Sequence, residues 1–206
     1  MTTIELRDAA IGTGLAADLP ATSLLIEPGA PTVIVAETSE RPMLLSLVLG
    51  GRLALTSGSV LVNGQPDAAA LRSHTALVDT PFVSEPTPGI TLALVVAEEL
   101  SFAGRPSGAK SVAAWLQGHG LSYLAQVPMR SIPPTERVLL LTELALLREG
   151  VTALVVTSPE RHGGDPTEWY SQLVAISERG ISVAIITDSP TARLLLSLSN
   201  SHDGLS

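Results

Sequence analysis

The polar residues with the clearest potential for chemistry follow an apolar, strand-like segment at residues 153–157. The residues that follow this segment include Arg161, His162 and Asp165, together with two adjacent glycines. A histidine and an aspartate at the carboxyl end of a parallel strand lie where α/β domains commonly bind ligands. Side chains this close together in a loop more often belong to a turn than to a catalytic dyad, so catalysis by this pair is the weaker interpretation.

A second polar segment separates the apolar run that ends at Val35 from the apolar, helix-like residues 43–49. A loop between a strand and a helix binds phosphate when it reads G-x-x-x-x-G-K-[ST], because its backbone N–H groups close on the anion and its lysine reaches the terminal phosphates. This segment has neither the glycines nor the lysine. Its degenerate positions are Thr38, Ser39, Glu40, Arg41, Pro42 and Met43.

These substitutions act against phosphate binding. Glu40 would bring a negative charge close to the anion, and at an effective dielectric constant of about 20 each such contact costs a few kcal/mol. Pro42 has no N–H to donate, although proline also suits the first position of a helix, which is the interpretation we favour. Arg41 retains a positive charge, but one cation does not replace a nest of backbone donors. We therefore expect no cofactor, with ATP and magnesium as the less favoured alternative.

The elements that must position these residues alternate between strands and helices, as in a layered α/β domain. Short, β-branched, apolar runs at residues 33–35, 75–79, 153–157 and 182–187 are typical of central parallel strands covered on both faces. Helices are predicted at residues 135–148, with Thr135 as the N-cap, and at 168–179 and 191–198.

The middle of the chain interrupts this alternation. Residues 82–130 are rich in proline and glycine and contain Ala-rich helical stretches near 95–102 and 111–117. We interpret them as a helical subdomain inserted into a single domain that spans residues 1–206.

Composition excludes several classes of function. The net charge of −8 and the single lysine, Lys110, argue against nucleic acid as a partner. The absence of cysteine excludes disulfides and thiolate metal sites. His74, His119 and His202 have no carboxylate or second histidine at metal-binding spacing, so no metal site is expected. No apolar run approaches the 18 or more residues of a membrane span. We expect a cytoplasmic protein, in solution or docked on a membrane partner.

The order of these segments resembles that of the ATP-binding subunit of ABC transporters over nearly the whole chain. The resemblance is carried by the order and spacing of residues 44–51, 56–66, 96–100, 136–138 and 154–159. It implies a P-loop NTPase-like fold with a mostly parallel central sheet, a small antiparallel β part and a helical insert.

The same resemblance implies that every functional position of the family is substituted here. Thr80 would replace the glutamine of the Q-loop, and residues 130–134 would replace the LSGGQ signature with a sequence that contains Pro133 and Pro134. Thr157 and Ser158 would replace the Walker B aspartate and the catalytic glutamate, and Asp188 the switch histidine. Phosphoryl transfer needs the metal ligand and the base, so we expect a catalytically inactive relative.

An inactive relative would act through its surface. The resemblance implies a structural or regulatory partner of a membrane permease or of a competent ATP-binding subunit, with a homodimer as a further arrangement. Residues Phe82, Val83, Glu85 and Leu92 would lie where the family receives the permease, and Asp165 where subunits of the family meet.

Two rival interpretations remain open. One is a divergent ATPase that binds nucleotide through Arg41, Ser39 and Thr157. The other is an unrelated α/β enzyme with a site near His162 and Asp165.

Overall fold

A parallel sheet of four strands forms the centre of the protein in a computed structural model. The structure describes residues 2–37 and 40–203, with side chains to residue 198. The strands of the sheet are β3 (Thr32–Val35), β5 (Thr75–Val78), β6 (Ala153–Thr157) and β7 (Ser182–Thr187), in the spatial order β3-β7-β6-β5. The predicted central strands are confirmed. The residues of β5, β6 and β7 are all buried, as expected for strands covered on both faces.

An antiparallel sheet of order β2-β1-β4 lies beside it, formed by β1 (Ile4–Ile11), β2 (Leu19–Ile26) and β4 (Ser57–Val62). This is the predicted small antiparallel part. The register between β1 and β4 shifts after Arg7, where Asp8 has a positive φ of 45°. Gly58 lies opposite, and a Cβ there would come within 2.2 Å of the Asp8 carbonyl oxygen, so only glycine fits at this bulge.

Seven helices cover the sheets within the described residues. They are α1 (Arg41–Leu49), α2 (Ala68–His74), α3 (Leu92–Phe102), α4 (Ala109–Gly118), α5 (Pro134–Ala145), α6 (Pro166–Glu178) and α7 (Ser189–Asp203).

Some predicted helix ends were wrong. The chain enters α5 at Pro133 rather than at Thr135, whose hydroxyl donates to Glu168 instead of capping the helix. The helix α5 also ends at Ala145 rather than at Arg148.

The two faces of the parallel sheet belong to different hydrophobic cores. Along β7, Val183 and Ile185 face the core formed with α3, α5 and α6, whereas Ala184 and Ile186 face the core formed with α1 and the antiparallel sheet. This alternation is the period of a strand. Because both faces are covered, the carboxyl edge of the sheet is where polar residues can converge.

Within the part of the chain that the structure describes, every helix is too short or too polar to cross a membrane.

Candidate functional site

Three buried hydroxyl groups bond to one another where α1, the end of β6 and the segment after β5 meet. Ser46 Oγ donates to the Pro42 carbonyl oxygen at 2.8 Å, which uses its only proton. Thr157 Oγ1 lies 2.6 Å from Ser46 Oγ and must be the donor of that bond, and Thr80 Oγ1 therefore donates to Thr157 at 2.8 Å. All three side chains are fully shielded from solvent. We call Ser46, Thr157 and Thr80 the hydroxyl chain, and its protons are all engaged inside the protein.

Arg41, the cation of the segment that leads into α1, is also bound to protein groups. Arg41 Nε donates to the Asp18 carbonyl oxygen at 3.1 Å, and Arg41 Nη2 lies 3.5 Å from the Ala17 carbonyl oxygen. Pro42 is buried in the first turn of α1, which begins one residue earlier, at Arg41.

The structure describes only some of the other positions of this segment. Glu40 is exposed at the start of α1 and Met43 is half-buried, whereas Thr38 and Ser39 lie outside the described residues.

A buried ion pair joins the end of β5 to α5. Arg137 Nε and Nη2 donate to the two carboxylate oxygens of Asp79 at 2.8 and 2.7 Å, and the two side chains are only 4% and 6% exposed. Arg137 Nη1 also donates to the Met129 carbonyl oxygen at 3.0 Å. This bidentate geometry is the strong form of an arginine–carboxylate contact.

A histidine and a second arginine converge on the same carboxylate. His162 Nε2 lies 2.8 Å from Asp79 Oδ2, and Arg161 Nη2 lies 3.2 Å from Asp79 Oδ1. Burial alone would raise the pKa of Asp79, but hydrogen bonds from Arg137 and His162, together with the charges of Arg137 and Arg161, hold that pKa well below its usual range. Asp79 is therefore a carboxylate that the fold keeps ionised.

The carboxylates of Asp79 and Glu85 and the ring of His162 have ligand atoms within 4.8 Å of one another, a spacing that a metal ion could use. Sequence spacing did not reveal this convergence. Arg161 Nη2 also lies 3.1 Å from Glu85 Oε1, so its guanidinium is ion-paired with both carboxylates. A metal ion would have to displace the Arg161 guanidinium, and we therefore interpret this cluster as a network of ion pairs.

His162 and Asp165 bond to different groups, as expected of the favoured interpretation that they belong to a turn. His162 pairs with Asp79, whereas Asp165 Oδ1 accepts hydrogen bonds from the backbone N–H and the hydroxyl of Thr167, both at 2.9 Å. These bonds lower the pKa of Asp165 from its ordinary value and make it the N-cap of α6.

The carboxyl edge of the parallel sheet also carries acidic groups. After β7, Asp188 Oδ1 accepts from the Thr191 N–H at 2.8 Å, and the Asp188 N–H donates to Glu160 Oε1 at 3.2 Å. Glu37 Oε1 accepts from the Ser189 N–H at 3.2 Å. Burial raises the pKa of the Glu160 carboxyl. We call Glu37, Glu160 and Asp188 the acidic edge, which opposes the binding of a polyphosphate.

Two positions of the segment that leads into α5 have no backbone donor. Residues Met129–Ser131 form a single 3-10 turn, and Pro133 and Pro134 follow at the start of the helix. Neither proline carries an N–H, so two successive positions of this segment have nothing to donate to an anion.

A short turn after β5 presents Phe82 to solvent. The Thr80 carbonyl oxygen accepts from the N–H groups of Val83, Ser84 and Glu85 at 3.0 to 3.1 Å, and the Thr80 N–H donates to Ser84 Oγ at 3.0 Å. Phe82 is 96% exposed and has a φ of 60°, which is rare for a bulky residue. Thr80 also belongs to the hydroxyl chain, so its bonds connect this Phe82 turn to the buried part of the site.

The predicted partner-binding residues do not all lie together at the surface. Phe82 and Val83 are exposed, and so is Glu85, which pairs with Arg161, but Leu92 is fully buried in the core. The interpretation of Leu92 as a surface residue is wrong, because it packs at the start of α3.

Solved structures with this fold are ATP-binding cassettes. A nucleotide-free ATP-binding cassette from an ABC transporter matches 94% of this chain and 84% of its own, with a TM-score of 0.67 and 16% identity. A putative ABC transporter ATP-binding protein from Pyrococcus furiosus matches 91% of this chain and 92% of its own (TM-score 0.65, 13% identity). A third structure is cbiO1 from Clostridium perfringens, part of the ABC transporter complex cbiONQ. It matches 90% of this chain and 78% of its own (TM-score 0.63, 17% identity).

This chain therefore has the α/β fold of an ABC-transporter ATP-binding cassette, as its sequence predicted. No protein-family model matches the sequence, and no curated protein matches it either.

Sequence reasoning missed the pairing of Asp79 with Arg137. One signal was available, since Arg137 lies in a helix whose leucines cover most of its circumference. A charged residue buried in such a helix needs a counter-charge. The partner could not be chosen from sequence, because Asp79 lies on a different element.

We predict that Asp79→Asn lowers the free energy of unfolding by about 3 to 5 kcal/mol at neutral pH, because it leaves a buried guanidinium without its counter-charge. The folded pKa of Asp79 is depressed, so the carboxylate's contribution is present above its ordinary pKa of 3.8 and is lost as pH falls below it. Urea unfolding of both proteins should show this difference shrinking in acid. An exposed control, Asp18→Asn, should change little, and a difference that does not depend on pH would contradict the assignment.

We also predict that Phe82→Gly is more stable than Phe82→Ala by about 1 kcal/mol, because glycine adopts a positive φ without strain. Both variants remove the same exposed ring, so the comparison isolates the backbone. Chemical denaturation measures it, and equal stabilities would show that the turn is not strained.

Proposed function

We propose that this protein is an ABC-ATPase-like subunit without catalytic activity, which offers binding surface to a membrane permease or to a competent ATP-binding subunit. The observation that carries the proposal is the hydroxyl chain. By the resemblance, Thr157 and Thr80 take the positions of the Walker B aspartate and the Q-loop glutamine. Thr157 bonds to Ser46, and Thr80 bonds to Thr157. They are neutral, buried and already hydrogen-bonded.

The residues present do not fit Mg-ATP. A divalent cation prefers carboxylate oxygens and a triphosphate needs a cluster of N–H donors. Here the hydroxyl chain stands in place of the carboxylate, Arg41 is bound to backbone carbonyls, and the acidic edge would repel phosphate. Ser158, at the position of the catalytic glutamate, cannot accept a proton from water at neutral pH.

A partner surface is supported by the Phe82 turn. An exposed aromatic side chain on a rigid turn loses little conformational entropy on binding, which favours it as an anchor. The similar protein cbiO1 is part of an ABC transporter complex. By analogy, we propose that this chain is a single cassette-like domain with a helical subdomain at about residues 82–130, located in the cytoplasm or held at the inner face of the membrane by a permease. Asp165 would lie at the contact with a second subunit.

We predict that titration calorimetry with millimolar Mg-ATP gives no saturable heat and that the thermal midpoint does not rise. A ligand at a hundredfold its dissociation constant would add about 2.7 kcal/mol of stability, a shift that is readily measured. Saturable binding that disappears in Arg41→Ala would support the rival interpretation of a divergent ATPase and contradict ours.

We predict that the tagged protein, added to membranes of its source organism, retains an integral membrane protein or a second cassette subunit that mass spectrometry identifies. Phe82→Ala should reduce this retention about tenfold. The matched control is Phe102→Ala, because Phe102 is also exposed, at 73%, on α3. Equal loss in both variants would show nonspecific adhesion, and no loss in Phe82→Ala would remove Phe82 from the interface.

A further inference from the structure

Three arginines lie near one another at the amino edge of the parallel sheet, the edge opposite the hydroxyl chain. Helices α2 and α5 lead into β5 and β6 and therefore end at this edge. Arg72 lies in the last turn of α2, Arg148 follows α5, and Arg52 follows α1. Both terminal nitrogens of Arg52 lie 3.4 Å from the carbonyl oxygen of Thr75, the first residue of β5. Three separate segments of the chain thus bring a guanidinium to one place.

Two of these guanidiniums are bound to the turn that follows α1. Arg52 Nη1 donates to the Gly50 carbonyl oxygen at 2.8 Å, and Arg72 Nη1 donates to the Gly51 carbonyl oxygen at 3.0 Å. A Cβ at Gly50 would collide with Arg52 Nη1, and a Cβ at Gly51 would come within 2.8 Å of Leu71 Cβ on α2. The two glycines therefore permit the close packing that places both cations beside consecutive carbonyl groups.

The third arginine is close enough to act on the first. Burial lowers the pKa of Arg52, and the charges of Arg148 and Arg72 lower it further. Arg148 Nη2 donates to Glu99 Oε2 at 2.6 Å, but Arg148 Nε is buried and has no hydrogen-bond partner. A buried donor without an acceptor costs free energy, so the fold holds this group at a disadvantage that an added acceptor would remove.

The positive charge of this cluster exceeds the negative charge that pairs with it. In the ion pairs of the described residues, Glu99 contacts Arg148, and neither Arg52 nor Arg72 has a carboxylate partner. Three guanidiniums and one carboxylate leave two positive charges. This surplus is unusual in a chain that has 12 basic residues against 20 acidic ones. Because like charges at short range repel one another, an anion at this place would be stabilising.

The arginines also retain donors for such an anion. A guanidinium has five N–H groups, and the backbone carbonyls occupy only the terminal nitrogens of Arg52 and one terminal nitrogen of Arg72. In the part of the chain that the structure describes, Arg52 Nε and Arg72 Nε and Nη2 have no protein acceptor. Both residues are exposed, so a ligand can reach them from solvent.

We propose that Arg52, Arg72 and Arg148 bind a phosphate dianion, either as free phosphate or as the monoester head group of a lipid. A phosphate monoester carries about 1.5 to 2 negative charges at neutral pH, which matches the surplus of the cluster. Its oxygens point in several directions and can accept from guanidiniums on three segments, whereas a carboxylate has two oxygens in one plane. The bound ligand would connect the ends of α1, α2 and α5.

A single dianion fits this cluster better than an extended polyanion. Nucleic acids are bound by many clustered basic residues, and three arginines are too few for this. An extended polyanion would also meet the repulsive field of a chain that carries a net charge of −8. The site shares no residue with the hydroxyl chain or the acidic edge, so it goes beyond the proposed function and does not depend on it.

The test is titration calorimetry at neutral pH and constant ionic strength with sodium phosphate, and with acetate as the carboxylate for comparison. We expect saturable binding of phosphate that is at least tenfold tighter than that of acetate. Arg72→Gln and Arg52→Gln should each weaken it about tenfold and abolish the rise in thermal midpoint that phosphate causes. The matched control is Arg105→Gln, because Arg105 is also exposed and belongs to none of the ion pairs described for the chain.

Vesicles distinguish the two sources of the ligand. Cosedimentation with phosphatidic acid in phosphatidylcholine, compared with phosphatidylcholine alone, reports a lipid head group, whereas binding of phosphate without vesicle binding reports the free ion. Either result supports the site only if Arg72→Gln reduces the binding. Circular dichroism checks folding, and Arg72→Gln carries the test if Arg52→Gln does not fold.

Three results would overturn the proposal. One is the absence of binding to both phosphate and phosphatidic acid, and another is an affinity for acetate equal to that for phosphate. The third is binding that persists in the variants of Arg52 and Arg72, or that falls equally in Arg105→Gln, because the anion would then lie elsewhere or be held without specificity.

Discussion

Burial of polar groups at the carboxyl edge of the parallel sheet is the constraint on which the rest of the structure depends. The fold brings the ends of β5 and β6 to one place and shields them from water, so each polar side chain there must find a partner. In this protein the partners are other side chains and, for Ser46 and Arg137, backbone carbonyl oxygens as well. Ser46, Thr157 and Thr80 satisfy one another, and Asp79 is surrounded by Arg137, Arg161 and His162.

This internal pairing has a structural consequence. The Asp79 carboxylate contacts Arg137 of α5 and both Arg161 and His162 of the segment after β6, so it links three parts of the chain. Arg137 also bonds to the Met129 carbonyl oxygen, which fixes the segment that leads into α5. Such contacts hold the site in one arrangement without a bound ligand. They also place the Phe82 turn, because Thr80 belongs to both the hydroxyl chain and the turn.

Much of the fold could be predicted from the sequence, because the central strands are β-branched runs of the length that suits buried parallel strands. Strands β1 and β2 were not identified. Their residues alternate less clearly, and β1 is interrupted by a bulge at Asp8. The predicted start of α5 was wrong because Thr135, a residue type that often caps helices, bonds instead to Glu168 on α6. That contact depends on tertiary packing.

The site was predicted less well than the fold. Thr80 and Thr157 could be singled out by spacing, and they do meet beneath the sheet edge, but the bond of Thr157 to Ser46 depends on how α1 packs against β6. His162 was considered with Asp165, its neighbour in sequence, whereas its partner Asp79 is 83 positions away. Local spacing carries no information about such a pair.

The most direct test of the account is a crystal structure determined after growth in millimolar Mg-ATP. The account predicts that Thr157 Oγ1 remains within hydrogen-bonding distance of Ser46 and Thr80, and that no nucleotide or metal occupies the carboxyl edge of the sheet. Electron density for an adenine nucleotide there, with magnesium bound in place of the hydroxyl chain's internal bonds, would contradict it.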